Sequence, residues 1–354
     1  MSRKVRGASS TLLAMMLVLT ACSSGPAKTQ QPKAVGAGGP EAKASCNDVK
    51  FNGGKPTVAY MPPATEFPYY IAIGEGIKAK APGLGANTFM LAPQSGSDIE
   101  GQMGMIQDVL TRDVDAIVLS THDEQAAGPL VKQAIDSGIA VVIVNSDIAD
   151  FPTPVNAVVG YKQRKGTHKI GEYALGLAKG QDMKIGVIEG LPGYHSTERV
   201  GGFLDAIKGK SNMQVVQSLV GDWNVEGGNR AAQDMLQAHP EINMIFAAND
   251  YMAIGANKAA DALGRKDIII LGNDGDTQAM EEIYSGDWEG TVMTHPFQMG
   301  ETVLKVTMDC LNKKFNGFFN EIPTEVIHTK EQAVGFLCHP ESMYPKPSRA
   351  YPCS

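Results

Sequence analysis

From Pro56 onward the chain alternates apolar runs of strand length with segments of helical period, and this alternation constrains the fold more than any other feature. The strand-like runs are TVAYM, NTFMLA, AIVLS, AVVIVN, AVVG, KIGVIEG, MQVVQSLV, MIFAAN, IIILGND and GTVMT. Helical period fills the intervals at 69–79, 99–110, 126–137, 165–178, 198–208, 229–238, 251–263, 277–285 and 299–312. A helix between successive strands makes those strands parallel, and strands with no polar face need cover on both sides. So many units overfill one sheet of ordinary width, about four to six strands. The expected fold class is α/β, with two doubly wound parallel-sheet lobes.

Several strands are apolar until their last residues and then turn polar. AIVLS runs into Thr121-His122-Asp123, AVVIV into Asn145-Ser146-Asp147, IFAA into Asn249-Asp250, and IIILG into Asn273-Asp274. In an open parallel sheet the carboxyl ends of the strands share one edge, where ligands bind. Part of this polarity has a purely local use. Asp250, just before the helical period, suits an N-cap, Asp276 could cap the next helix likewise, and Asn273 or Gly275 could simply permit a turn. A helix start needs one capping side chain, however, and these joins supply two or three. The surplus members Asn249, Asp274 and Asn145 must be solvated or must meet a polar ligand. Acids and amides beside aromatic rings suit a sugar or polyol, whose surface alternates hydroxyls with C–H faces.

The first residues have another origin. Arg3, Lys4 and Arg6 precede an apolar run from Leu12 to Leu19 that is too short to span a bilayer and has the layout of a secretory signal. It ends in LTAC at residues 19–22, which resembles a bacterial lipobox with Cys22 as the lipid carrier; an ordinary cleaved signal is the alternative. Residues 22–55, rich in Gly, Pro, Ala and Lys, are expected to form a flexible tether. Loss of residues 1–21 would lower the formal charge from −7 to −10, which disfavours nucleic acid as a partner. Cys46, Cys310, Cys338 and Cys353 then remain, and an even number in an exported chain permits two disulfides in any of three pairings. Pairing Cys338 with Cys353 would tie down the Pro-rich tail, and free thiols are the alternative.

The lipobox, the alternation and four ordered segments together resemble a known family. The segments are GLPGYHSTERVGGF, FAANDYMAIGA, ILGNDGD and GTVMTHPFQMG, and the likeness runs from about Thr57 to Phe336. The family is the type I extracytoplasmic sugar-binding proteins of ABC importers, the ribose/xylose/galactose group. The resemblance implies two lobes joined by a three-segment hinge, with 56–159 plus 295–322 in the first and 160–294 plus 323–336 in the second. Residues 337–354 form a tail with no assigned role. It also implies a ligand set: Tyr69 and Tyr70 as ring platforms from the first lobe, Trp223 as the opposite slab, Arg199, Asn249 and Asp274 as polar ligands. Thr294 stands where a Gln is common, with His295 as a substitute beside it. Trp223, between Asp222 and Asn224, is expected to avoid deep burial, and the alternative for Arg199 is a surface charge opposite Glu198. Asn145-Ser146 departs from the family's Asp-Arg, which suggests a ligand other than ribose, such as a pentitol, tetritol or furanose.

Enzyme chemistry finds little support. G-x-S-x-G, H-E-x-x-H, P-loop and G-x-G-x-x-G patterns are all missing, and no C-x-x-C supports a metal or redox centre. NDGDTQAMEE fails the calcium-loop spacing, and His122 reads as a polar strand end rather than a metal ligand. No catalytic residue, metal or cofactor is therefore expected. The expected partners are a small sugar or polyol, an ABC permease with its ATPase, and the membrane through the lipid on Cys22 only, for a chain acting as a monomer. A sensor lipoprotein presenting a signal molecule to a membrane receptor is the second reading. A lactose-repressor-type regulator would need an N-terminal DNA-binding module where this chain has signal and tether.

Overall fold

The computed structural model describes residues 43–314 and 317–353. Cys22 and the expected signal lie outside the described residues. Residues 41–354 form one compact unit. Its first sheet is built from β1 (Thr57–Met61), β2 (Asn87–Met90), β3 (Ala116–Leu119), β4 (Ala140–Val144), β5 (Ala157–Gly160) and β11 (Phe319–Glu321), in the order β11-β5-β4-β3-β1-β2. The second holds β6 (Met183–Glu189), β7 (Met213–Val220), β8 (Met244–Ala247), β9 (Ile269–Asp274), β10 (Gly290–Met293) and β12 (Glu325–Ile327), in the order β12-β10-β9-β8-β6-β7.

Every pairing in the first sheet is parallel, with Leu119 opposite Met61 and Ile143, and in the second only β12 runs antiparallel, against β10. The central strands are buried along their whole length, as continuous Val/Ile runs require. The two doubly wound lobes expected from the alternation are present. Strands β11 and β12 escaped the sequence reading because three residues each carry no period.

Helices α1 (Pro68–Leu84), α2 (Ile99–Leu110), α3 (Glu124–Ser137) and α9 (Pro296–Leu311) belong with the first sheet, and α4 (Gln163–Ala178), α5 (Tyr194–Ile207), α6 (Val225–Ala238), α7 (Asp250–Ala262), α8 (Thr277–Ser285) and α10 (Lys330–Leu337) with the second. Asp98 caps α2 where its period begins, while α3 and α6 begin earlier than theirs because Asp123 and Asn224 cap them nearer the strand end: the three side chains accept from the N–H of Gly101, Ala126 and Gly227 at 2.9, 2.9 and 2.8 Å. Pro68 and Pro296 open α1 and α9, where a missing N–H leaves no donor unpaired. α1 and α9 approach so closely that a Cβ on Gly300 would lie 2.0 Å from the carbonyl oxygen of Ile73. The chain passes between the sheets after β5, after β10 and after β11.

The expected tether at 22–55 is corrected in its second part. Ala44 donates its N–H to Val155 O at 3.1 Å, Lys50 to Gly138 O at 2.8 Å, and Cys46 is buried and bonded to Cys310. Low hydrophobicity concealed this docking because a single disulfide and Lys313, whose ammonium reaches Cys46 O and Val49 O, do the holding. The second bridge joins Cys338 to Cys353. The tail that it closes lies along α8: Ser348 N–H and Tyr351 OH donate to Glu281 at 2.7 and 3.0 Å, Thr277 donates to Pro345 O at 2.7 Å, and the Tyr351 ring meets Tyr284 edge-on.

Cross-links restrict the unfolded chain more the longer the loop they close, and the two bridges span separations of 264 and 15 residues. C46A/C310A should therefore lower stability by about 2–4 kcal/mol, and by more than C338A/C353A. Chemical unfolding of the two variants, compared under oxidising conditions, checks the order.

Candidate functional site

The strand ends of both sheets converge on one cavity. Phe67, Tyr69, Tyr70, His122 and Asn145 line it from the first lobe, and His195, Arg199, Trp223, Asn249, Tyr251 and Asp274 from the second. Sequence positions from 67 to 274 thus meet because each follows a strand or opens a helix at the same sheet edge. Three of them hold positive φ without being glycine: Asn145 at 61°, Trp223 at 63° and Asp274 at 138°. Such conformations persist only where surrounding structure enforces them, and they gather at functional sites.

The first-lobe wall is neutral and self-bonded. Tyr69 OH donates to Asn145 Oδ1 at 2.9 Å, Asn145 Nδ2 donates to Tyr70 OH at 3.2 Å, and Ser120 OH donates to the same phenol oxygen at 3.3 Å. The two tyrosine rings stand edge to face, 5.6 Å between centroids. Burial holds both phenols above their ordinary pKa, so they remain O–H groups. His122 is also neutral: burial lowers it to about 4, and its Nδ1–H donates to Gly96 O at 3.2 Å, leaving Nε2 as an acceptor.

The second-lobe wall carries the charge. Arg199 and Asp274 are each 3% exposed and meet at 3.0 Å between Nη1 and Oδ1. Burial raises the Asp274 carboxyl, against the pull of Arg199, which lowers it. Burial would lower the guanidinium too, but Asp274 and the neighbouring tyrosines outweigh it and hold Arg199 above its usual value. Asp274 Oδ1 also accepts from Asn273 Nδ2 at 2.9 Å, and Arg199 also donates to Ala248 O at 3.1 Å and Gln163 Oε1 at 3.1 Å. These bonds serve the ionised pair.

Trp223, expected near the surface, is 6% exposed. Its ring lies over Gly190, where a Cβ would come within 2.0 Å of it, so a missing side chain makes room that the Trp223 sequence context does not announce. The indole faces His122 across the cavity at 6.2 Å and 27°, and the Arg199 guanidinium sits 5.3 Å from its centroid.

Two expected caps are corrected. Asn249, not Asp250, caps α7: its Oδ1 accepts from Met252 N–H at 2.9 Å and its Nδ2 donates to Trp223 O at 3.0 Å. Asp250 is the next residue and already helical, so its carboxylate is free to accept from Gly275 N–H, Asp276 N–H and Thr291 OH at 2.8, 2.8 and 2.6 Å, fastening the ends of β9 and β10 to α7. Asn and Asp are equally competent caps, and a register of one residue lies below what sequence resolves. Asp276 occupies the N-cap position of α8 but makes no side-chain cap bond.

Thr294, expected on the wall, lies behind it, fully buried, with its hydroxyl 2.9 Å from both Tyr69 OH and Asp274 O; since Tyr69 gives its proton to Asn145, the single Thr294 proton goes to one or the other. His295, the alternative beside it, faces a separate pocket against α9 and the tail. Ser146 accepts from Ile148 N–H at 3.1 Å. Arg199 is no surface charge. Phe67, His122, His195 and Tyr251 line the cavity without having been assigned to it. Their only signal was adjacency to residues that were, since aromatic and imidazole side chains serve equally well as core. Among the described residues no three His, Cys, Asp or Glu side chains are grouped to hold a metal.

A periplasmic binding protein domain matches residues 58–315. The D-ribose/D-allose-binding protein of Pseudomonas aeruginosa is 33% identical over 270 residues, covering 73% of this chain and 77% of that one. The ribose import binding protein of Bacillus subtilis is 28% identical, covering 88% and 95%. Among solved structures, an ABC transporter periplasmic solute-binding protein of Actinobacillus succinogenes with bound D-allose superposes with a TM-score of 0.73 at 25% identity, covering 79% of this chain and 100% of that one.

The chain belongs to the periplasmic binding protein family.

Members of this family bind solutes for transporters outside the cytoplasm, so this periplasmic binding protein is a capture device and not an enzyme. The fold expected from the resemblance is the one observed.

Asp250 is a bracing carboxylate of this fold. Asp250→Ala leaves three buried donors unpaired and should lower stability by about 3 kcal/mol or more, whereas Asn249→Ala removes one cap bond and should lower it by about 1 kcal/mol. Urea unfolding of both variants measures the difference.

Proposed function

We propose that this protein captures a small neutral sugar or polyol between its lobes and delivers it to an ABC permease and its ATPase, held at the outer face of the cell membrane by a lipid on Cys22. The observation that carries the reading is the pre-bonded Arg199–Asp274 pair at the edge of a ring-lined cavity between two sheets. Asp274 Oδ2 and the remaining guanidinium N–H groups stay available for hydroxyls. Tyr69, Tyr70, His122 and Trp223 supply flat faces for C–H surfaces, and Asn145, Asn249 and Tyr251 complete the rim. Thr294 acts through Tyr69. The relatives named for ribose and allose, and the neighbour holding D-allose, bind this class of molecule.

The first lobe, taken as 56–159 with 295–322, brings no charge to the cavity, and Asn145 spends its amide on the two tyrosines. The second, 160–294 with 323–336, brings the acid and the guanidinium. A ligand held mainly from one side by charge and from the other by phenols and rings needs fewer vicinal hydroxyls in fixed ring geometry than an aldopyranose offers. This favours a pentitol, tetritol or furanose. Both lobes contribute, so ligand favours the closed form.

In a thermal-shift series of D-ribose, D-allose, ribitol, xylitol and erythritol, the acyclic polyols should raise the midpoint more than the aldoses; the reverse order removes the inference from Asn145. Asp274→Ala should weaken binding of the best member at least about tenfold, since a hydrogen bond to a charged group contributes roughly 1.5–3 kcal/mol, with isothermal calorimetry as the readout. Unchanged affinity would take Asp274 out of the site. Cys22→Ala should release the protein from the membrane fraction into the medium or periplasm.

A further inference from the structure

His122 follows β3 on the first-lobe side of the cavity, and its ring is fixed from three directions. Its Nδ1 lies 3.2 Å from Gly96 O. A carbonyl has no proton to give, so Nδ1 carries the imidazole N–H and the neutral ring has its lone pair on Nε2. A flipped ring would set a C–H against the same carbonyl and lose the bond. The Gly96 peptide is itself held from behind, because Glu66 Oε1 accepts from Gly96 N–H at 2.6 Å and from the Ser95 hydroxyl at 3.2 Å. Phe67 meets the imidazole edge to face at 5.7 Å between centroids, and a Cβ on Gly96 would fall 3.1 Å from His122 Cε1. The side chain is therefore oriented by one bond and by close packing before any ligand arrives.

The other polar side chains of that wall are bonded to one another. Tyr69 gives its proton to Asn145 Oδ1, Asn145 Nδ2 donates to the Tyr70 oxygen, and that oxygen accepts from Ser120 as well. His122 Nε2 differs from them in having no hydrogen-bond partner among the described residues. Nor is it sealed in: among those residues the side-chain atoms enclosed without a partner are Gln217 Oε1, Asn273 Oδ1, Asp276 Oδ2 and Trp288 Nε1. An unpartnered and unsealed lone pair on a cavity-lining residue opens to the cavity. It stands where the lobes face each other, since the His122 ring lies opposite Trp223 of the second lobe at 6.2 Å and 27°. Burial, opposed by the Gly96 bond and aided by the Arg199 charge, keeps the ring neutral and the lone pair in place.

We propose that His122 is a specificity-determining residue whose Nε2 accepts a hydrogen bond from one hydroxyl of the captured sugar or polyol. The inference rests on the ligand reading above and goes beyond it, because that reading uses the imidazole only as a flat face. A ligand that fills the cavity takes water away from Nε2. A hydroxyl placed there restores the lost bond, whereas a C–H at the same point leaves the lone pair without a partner. A site built to bond a hydroxyl rejects the analogue that lacks it more strongly than an apolar pocket rejects a change of size. The neutral imidazole offers one lone pair where a carboxylate would offer several. The first lobe thereby reads a single hydroxyl without bringing an acid to the cavity.

Calorimetric titration of the wild type with ribitol, xylitol, erythritol and D-ribose identifies the tightest of the four, and its monodeoxy analogues are then titrated against the wild type and His122→Phe. Phenylalanine keeps a flat ring for C–H surfaces and removes Nε2. The wild type should lose about tenfold in affinity when one particular hydroxyl is removed. His122→Phe should bind the parent compound about tenfold more weakly and lose nothing further with that analogue, as two changes to one contact require. In ¹⁵N spectra of the wild type, His122 should be neutral with its proton on Nδ1, and its Nε2 resonance should move on saturation in the direction of a newly bonded acceptor. If the wild type binds none of the four compounds, the ligand reading fails. If it binds and every deoxygenation costs the same in the wild type and in His122→Phe, the role of His122 is overturned while the ligand reading stands. A ligand-free wild type with the proton on Nε2 overturns it as well. Should His122→Phe fail to fold, the wild-type spectrum decides, and an Nε2 resonance unmoved by saturating ligand overturns the proposal.

Discussion

The buried ion pair between Arg199 and Asp274 is the interaction on which the remainder of the site depends. Removing two charges from water is expensive, and their mutual attraction offsets the loss only when the other lone pairs and protons are also satisfied. Here Asn273, Gln163 and the carbonyl of Ala248 provide that satisfaction. Each comes from a different element, so the pair requires β8, β9, α4 and α5 to be in register at once. The positive φ of Asp274 is part of the same requirement, because an ordinary extended residue at the end of β9 would aim its carboxylate elsewhere. In the proposed function, the lone pairs and N–H groups that these bonds leave over are what meets a solute.

The lobes divide the work unequally. The first presents phenols, a neutral imidazole and an amide already bonded among themselves, which makes it rigid and uncharged. The second presents charge and a tryptophan. A wall that is satisfied before ligand arrives loses little entropy on binding, and preorganisation of this kind contributes to affinity through costs avoided. The hydrogen bond that joins the walls directly, from Tyr194 to Asp147, stands at the carboxyl end of β4, beside the cavity and not at the distant faces of the sheets.

Covalent ties act at the edges of this arrangement. Cys46–Cys310 fastens the segment before β1 to the end of α9, and Cys338–Cys353 closes the tail over α8. Both anchor chain that carries too little apolar surface to hold itself in place, which is the usual reason for a disulfide outside a core. They leave the three crossings between the lobes unlinked.

The alternation of apolar runs with helical period determined the α/β class and the pair of doubly wound sheets, because strand and helix periods are local properties that each segment carries alone. The polar ends of β4, β8 and β9 were likewise visible, together with the idea that they share an edge. What tertiary structure decided was the use of each polar group. Asn249 and Asp250 are adjacent and chemically similar, and only the position of β10 shows that Asp250 is a brace and Asn249 the cap. Thr294 proved to support Tyr69 from behind, and Trp223 entered the interior through space left at Gly190. His122, His195 and Gln163 had at most adjacency to other polar residues as a signal, since their side chains meet partners 26 to 36 positions distant in the chain. Local chemistry is written in the order of residues; which polar groups face one another across a cleft is set only when both sides of the cleft exist.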